Sequence, residues 1–161
     1  LQSSNRSSDD LRRNTDARAQ ARSAIDLFVR DLRQAQTGDR GFPAVEALSP
    51  SLITFYSPDK STPFRLRKIT YRITAGALTR EEITSSNTGL PWTFPATTGP
   101  QNIAIENVKT GSQWAAFDRA GTPTVTASQV RRLDITLIVN GIPRPGASQT
   151  FTQSVQIRTE Y

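Results

Sequence analysis

Residues 67–83, RKITYRITAGALTREEI, alternate apolar and polar side chains on either side of a short break at Ala75-Gly76. Successive strand residues point to opposite sides, so Ile69, Tyr71 and Ile73 share one face and Lys68, Thr70 and Arg72 the other. A two-residue turn at Ala75-Gly76 sets Ile73 beside Leu78 and Tyr71 beside Arg80, with Glu81 diagonal to Arg72. This hairpin predicts an antiparallel β region.

The same period continues outward. Ser51–Ser57 (SLITFYS), between Pro50 and Pro58, reads as a strand. Residues 84–100 form a loop with three prolines and two glycines that pins Trp92 and Phe94 to the body. Strands are expected at 102–110 and 113–117, the second ending in the turn Asp118-Arg119-Ala120-Gly121. Residues 130–139 put Leu133, Ile135, Leu137 and Val139 on one face. After a loop with Pro143 and Pro145, residues 150–161 turn Phe151, Val155, Ile157 and Tyr161 inward, as the antiparallel partner of 130–139. There is no internal repeat and no βαβ rhythm, which argues against a parallel sheet.

Before residue 38 the period changes. Ala17, Ala21, Ala24, Ile25, Phe28, Leu32 and Ala35 recur at spacings of three and four, one face of an α-helix. Arg18, Arg22, Asp26, Arg30, Asp31 and Arg33 fill the other side. A helix over 10–36 is roughly 40 Å long, and Gly38, Gly41 and Pro43 end it. The expected fold class is therefore α+β, a long N-terminal helix packed on antiparallel β-sheet, with the helix in 1–37 and a β domain in 38–161.

Composition narrows the chemistry. The 161 residues contain no Cys, His or Met. Histidine triads, thiol nucleophiles and almost all zinc or iron sites are thereby removed. No phosphate-cradling glycine motif is present. Glu81 and Glu82 are adjacent on a strand and point apart, so they read as solvated or arginine-paired residues. Asp26 and Asp31 diverge by about 140° on the helix wheel and read as solvated charges. Asp118–Gly121 lacks the oxygen-ligand pattern of a calcium loop and reads as a plain turn, and Trp92 and Trp114 are expected to be partly buried. No catalytic, cofactor or metal residue is expected, and the chain is not expected to be an enzyme.

Seventeen of the 20 basic residues are Arg, and the net charge of +6 is spread along the chain. Arg65, Arg67, Lys68, Arg72, Arg131 and Arg132 are the candidate contacts for an anionic partner, including nucleic acid. No apolar run approaches the 18 or so residues needed to cross a bilayer. The chain begins at Leu1 without Met, which points to a processed product or a truncated chain, with a signal or anchor segment expected upstream.

Three segments carry a resemblance. Residues 24–35 (AIDLFVRDLRQA) hold Asp31-Leu32 followed by Gln34-Ala35. Residues 69–80 (ITYRITAGALTR) hold Tyr71, Gly76, Leu78 and Arg80. Residues 114–139 hold Phe117, Asp118 and Gly121 before Leu133, Ile135 and Leu137, and the chain ends SVQIRTEY. This order resembles the soluble part of type IV pilin-like proteins, in particular minor pilins and the J-type pseudopilins of type II secretion.

The resemblance implies a pilin-like fold in which Ala21, Ala24, Ile25, Phe28 and Leu32 seat the helix on the sheet. It implies a structural subunit that assists assembly or capping of a type IV pilus or related filament, DNA-uptake pili included, with other pilin or pseudopilin subunits as partners. It also implies an apolar segment before Leu1, with the prepilin peptidase and methylation motif, anchoring the protein in the inner membrane with its body in the periplasm until assembly. A DNA-binding module used in uptake is the reading from another class, motivated by the arginine excess.

Overall fold

The computed structural model describes residues 2–36, 43–74, 76–96, 98–140 and 148–157, with side chains described from Thr15 onward. The expectations placed on Gly38, Gly41, Ala75, Pro143, Pro145 and Tyr161 lie outside the described residues. One helix, α1 (Gln2–Arg33), precedes eight strands. These are β1 (Val45–Ser49), β2 (Leu52–Asp59), β3 (Arg65–Thr74), β4 (Gly76–Thr84), β5 (Gln101–Val108), β6 (Gln113–Phe117), β7 (Arg132–Asn140) and β8 (Ser148–Gln156).

All strand pairs are antiparallel and belong to one sheet of order β1-β2-β3-β4-β5-β7-β6, with β8 also paired to β7. The central hairpin has the expected register, Ile73 opposite Leu78 and Tyr71 opposite Arg80. β7 and β8 pair from Arg132–Gln156 to Asn140–Ser148. The two ends of the strand order approach each other, since the Trp114 N–H of β6 donates to the Pro50 carbonyl at the β1–β2 turn (3.2 Å). Right-handed strand twist accumulates into such a curl.

Alternate strand residues line the inside of the curl. Ile53, Phe55, Ile69, Tyr71, Leu78, Leu133, Ile135 and Leu137 are fully buried in a single cluster that also takes in Ala21, Ala24, Phe28 and Leu32 of α1. Strand periodicity is sufficient to pick the inward face of β3 and β7, whereas β2 carries apolar residues in both phases and is buried on both sides. β1 escapes sequence reading because VEALS is short and mixed; it forms by edge pairing on β2, with a bulge between Val45 and Ala47.

The structure corrects the expected α+β, pilin-like architecture of a long helix packed on a sheet. Among residues with described side chains, 50% are strand and 17% helical, and the strands form one curled half-barrel in which only the part of α1 from Ala21 onward joins the core. Full burial on the helix starts at Ala21; Ala17 is half-buried, and Thr15, Asp16, Arg18, Ala19 and Gln20 are exposed. The physical reason lies in residue size. Helical periodicity marks a face along the whole segment, but only from Ile25 onward does that face carry large apolar side chains (Ile25, Phe28, Val29, Leu32) to fill the half-barrel.

The loop after β4 covers the outer surface. Its Ser85 N–H bonds to the Leu66 carbonyl (2.8 Å), and Asn87 Nδ2 donates to the carbonyls of Gly89 and Pro91 (both 2.7 Å). Gly99 N–H donates to Glu81 Oε1 at 2.8 Å. A Cβ at Gly99 would collide with the Glu82 carbonyl oxygen. Gly99→Ala should therefore push the loop off β4 and cost about 1–3 kcal/mol, read as a lowered urea midpoint at unchanged slope.

Candidate functional site

The most connected polar cluster joins α1 to the hairpin. Asp31 lies three residues beyond Phe28 and so sits on the same buried stripe, with 3% of its surface exposed. Its Oδ2 accepts from the Tyr71 hydroxyl (2.9 Å) and from Arg80 Nε (2.8 Å), two side chains that the β3–β4 register sets side by side. Arg80 Nη2 continues to Glu82 Oε2 (2.5 Å). Glu82 Oε1 lies 3.4 Å from Arg67 Nη1, and Arg67 Nη2 reaches the Ser57 hydroxyl at 3.2 Å.

This overturns the reading of Asp31 as a solvated helix charge. The comparison with Asp26 concealed it, because Asp26 is exposed while Asp31 shares the phase of Ala21, Ala24 and Phe28. A sequence signal did exist: the inward cross-strand pair Tyr71–Arg80 offers two donors, and an inward acid on the helix stripe answers both. Glu81 and Glu82 point apart as expected, Glu82 into this cluster and Glu81 toward Gly99.

The electrostatics suit a fixed joint. Burial of the Tyr71 hydroxyl, reinforced by the Asp31 charge, raises its pKa well above the usual phenol range. Burial works against the Arg80 cation, yet its hydrogen bonds to Asp31 and Glu82 outweigh that and hold its pKa above the ordinary value. Folded Tyr71 thus keeps its proton where an unfolded chain, with its phenol near 10.0, releases it. The resulting stability is complete below pH 10 and is lost as the pH rises further, by up to about 1.4 kcal/mol per pH unit. Urea unfolding from pH 8 to 11.5 checks this, and Tyr71→Phe should flatten the alkaline limb relative to the parent.

The six basic positions do not form one surface. Arg67 points inward and belongs to the joint. Lys68 points outward, 3.0 Å from Glu46 Oε2, with its ammonium over the rings of Tyr56 (5.7 Å) and Phe94 (5.1 Å). Arg65 is half-buried and Arg72 exposed on β3. Arg131 and Arg132 lie elsewhere, at the start of β7. Arg131 Nη1 donates to the carbonyls of Ser128 (3.1 Å) and Val130 (2.9 Å). The Arg132 guanidinium lies 3.9 Å from the Phe117 ring centroid, and its Nε is 3.3 Å from Asp134 Oδ1.

The aromatic residues separate as well. Trp114 is buried and stacks on Phe28 at 5.0 Å, whereas Trp92 is half-buried against Phe64 (5.6 Å). The contact of Lys68 with two rings was invisible in strand patterning, because Phe94 arrives from the loop. The turn at Asp118 is closed by its own carboxylate, whose Oδ1 accepts from the N–H groups of Ala120 (2.9 Å) and Thr122 (2.8 Å), with Gly121 at φ 82°. Among the described residues no group of His, Cys, Asp and Glu is placed to hold a metal ion, and no helix is long and apolar enough to cross a membrane.

Comparison with protein-family models finds no match, and no curated protein matches the chain. The joint and the basic positions are therefore interpreted on their own geometry.

Proposed function

We propose that this chain is a structural subunit of a type IV pilus or related filament, of the minor pilin type, acting through assembly contacts and not through chemistry. The observation that carries the reading is the convergence at the joint. Asp31 of the helix segment and Tyr71 and Arg80 of the hairpin segment, quoted for the resemblance from stretches 40 and 49 residues apart, meet at a single buried carboxylate oxygen. The shared pattern thus coincides with the device that welds the helix to the body. A subunit pulled and packed through its helix needs that connection, because a helix held by apolar contacts alone can slide, whereas a buried ion pair has one register.

The same segments resemble those of J-type pseudopilins, and the genes beside this one separate the two systems. The DNA-binding reading has less support, since Arg67, Lys68 and Arg132 each lie beside a carboxylate and the six positions are dispersed. A gel shift at low salt tests it.

The cysteine-free sequence makes site-specific cross-linking clean. With Ala19→Cys on the exposed side of α1 in the intact gene product labelled by a maleimide–benzophenone reagent, photo-cross-links to other filament subunits are expected in sheared or membrane fractions. Deletion of the gene should reduce filament number or secretion. The reading is overturned if the protein stays away from filament subunits and deletion leaves both unchanged.

A further inference from the structure

Strand β7 ends in two surface depressions of opposite charge. At its start, an open cleft of about 510 Å³ is lined by Arg119, Arg131 and Arg132 together with Asp118 and Gln156. Asp118 is engaged by the backbone of its own turn. Arg131 is held by two carbonyls, and Arg132 lies flat on Phe117 beside Asp134. Arg119 is exposed and forms no ion pair among the described residues. The cleft therefore presents two oriented cations, Arg131 and Arg132, beside an exposed one, Arg119.

At the other end of β7, beside Val139, a groove of about 200 Å³ runs between α1 and β5. It is lined by Asp16, Ala17 and Gln20 from the helix and by Glu106 and Asn107 from β5. Asp16 and Glu106 are exposed, and neither forms an ion pair among the described residues. In the sequence, Lys109 lies three residues beyond Glu106, and Arg12, Arg13 and Arg18 lie within four residues of Asp16. The seven steps from Arg132 to Val139 span about 23 Å at strand rise, so the two depressions lie at opposite ends of the same strand.

We propose that the basic cleft of one copy receives the acidic groove of a second copy, giving a head-to-tail contact along β7. Such a contact joins two different patches and does not close on itself, so each added copy exposes a fresh end. The occupant is a copy of this chain because both charge partners lie on it, at opposite ends of one strand. The biological meaning rests on the filament-subunit reading; the contact itself does not.

Sedimentation velocity of the chain over a concentration series tests the contact. In low salt the weight-average sedimentation coefficient should rise with concentration past that of a dimer, and roughly 0.5 M salt should weaken association about tenfold or more. Arg119→Glu alone, and Asp16→Arg with Glu106→Arg, should each remain monomeric while keeping the parent's circular dichroism, all three positions being exposed. Mixing these two variants in equal amounts should restore association, because each retains the end that the other lacks. The proposal is overturned if the parent is monomeric in low salt, if association stops at a closed dimer, if Arg119→Glu associates like the parent, or if the mixture stays monomeric. A monomeric parent together with loss of filaments on gene deletion removes this contact and leaves the subunit reading intact; head-to-tail association without a deletion phenotype does the reverse.

Discussion

Asp31→Ala should destabilise the fold by about 3–5 kcal/mol, the usual cost of removing one member of a buried ion pair. The effect is large because one carboxylate serves two donors. Its loss takes the acceptor from Nε of Arg80, whose side chain is only 13% exposed and which keeps only Glu82, and leaves the fully buried Tyr71 hydroxyl without its acceptor. Asp31→Asn keeps an acceptor for Tyr71 but not the charge, and should fall between the parent and Asp31→Ala. Replacing the cluster by apolar groups of similar volume, Asp31→Leu with Tyr71→Phe and Arg80→Met, should recover most of the loss, since nothing then remains buried and unpaired. Urea unfolding of the four proteins decides the matter. If Asp31→Ala costs under about 1 kcal/mol, the pair is solvent-screened and the joint does not hold the helix.

Phe28→Ala should cost about 3–5 kcal/mol by the cavity it leaves. Phe28 has no exposed surface and meets two rings from distant strands, Tyr71 edge-on at 4.9 Å and Trp114 stacked at 5.0 Å. Removing it takes away the contact through which the helix touches both β3 and β6. Near-ultraviolet circular dichroism should lose intensity in the tryptophan region while the far-ultraviolet strand signal persists, because the backbone ladders do not depend on this ring. Phe28→Leu, which keeps most of the volume, should cost less than half as much. Equal losses for both variants would mean that the site collapses around any smaller residue and that ring contacts add nothing.

The two substitutions probe different links of the same connection. Phe28 supplies apolar area without direction, whereas Asp31 supplies register. They lie one turn apart on α1 and share Tyr71 as a neighbour. Their effects should therefore couple in a double variant, which is expected for residues within one contact network.

Local pattern was enough for the strands whose neighbours leave no choice. The alternation in 67–83 defined the hairpin, its register and its inward face, because a period of two has only two phases and one of them is apolar. The same held for Leu133, Ile135 and Leu137 on β7. The helix was legible as a helix, but how much of it is covered was not. Ala17 and Ala21 look alike in a periodic pattern, and only the reach of the half-barrel decides that Ala21 is sealed while the residues before it stay largely in solvent. Asp31 was misread for a related reason: its environment comes from Tyr71 and Arg80, 40 and 49 residues away. The curl of the sheet, the landing of Phe94 on Lys68 and the division of the arginines between the joint and the far end of β7 likewise depend on contacts between distant segments. Short-range alternation reports which side of a strand is apolar, while the partner of a charge and the closure of a sheet are set by packing that no single segment encodes.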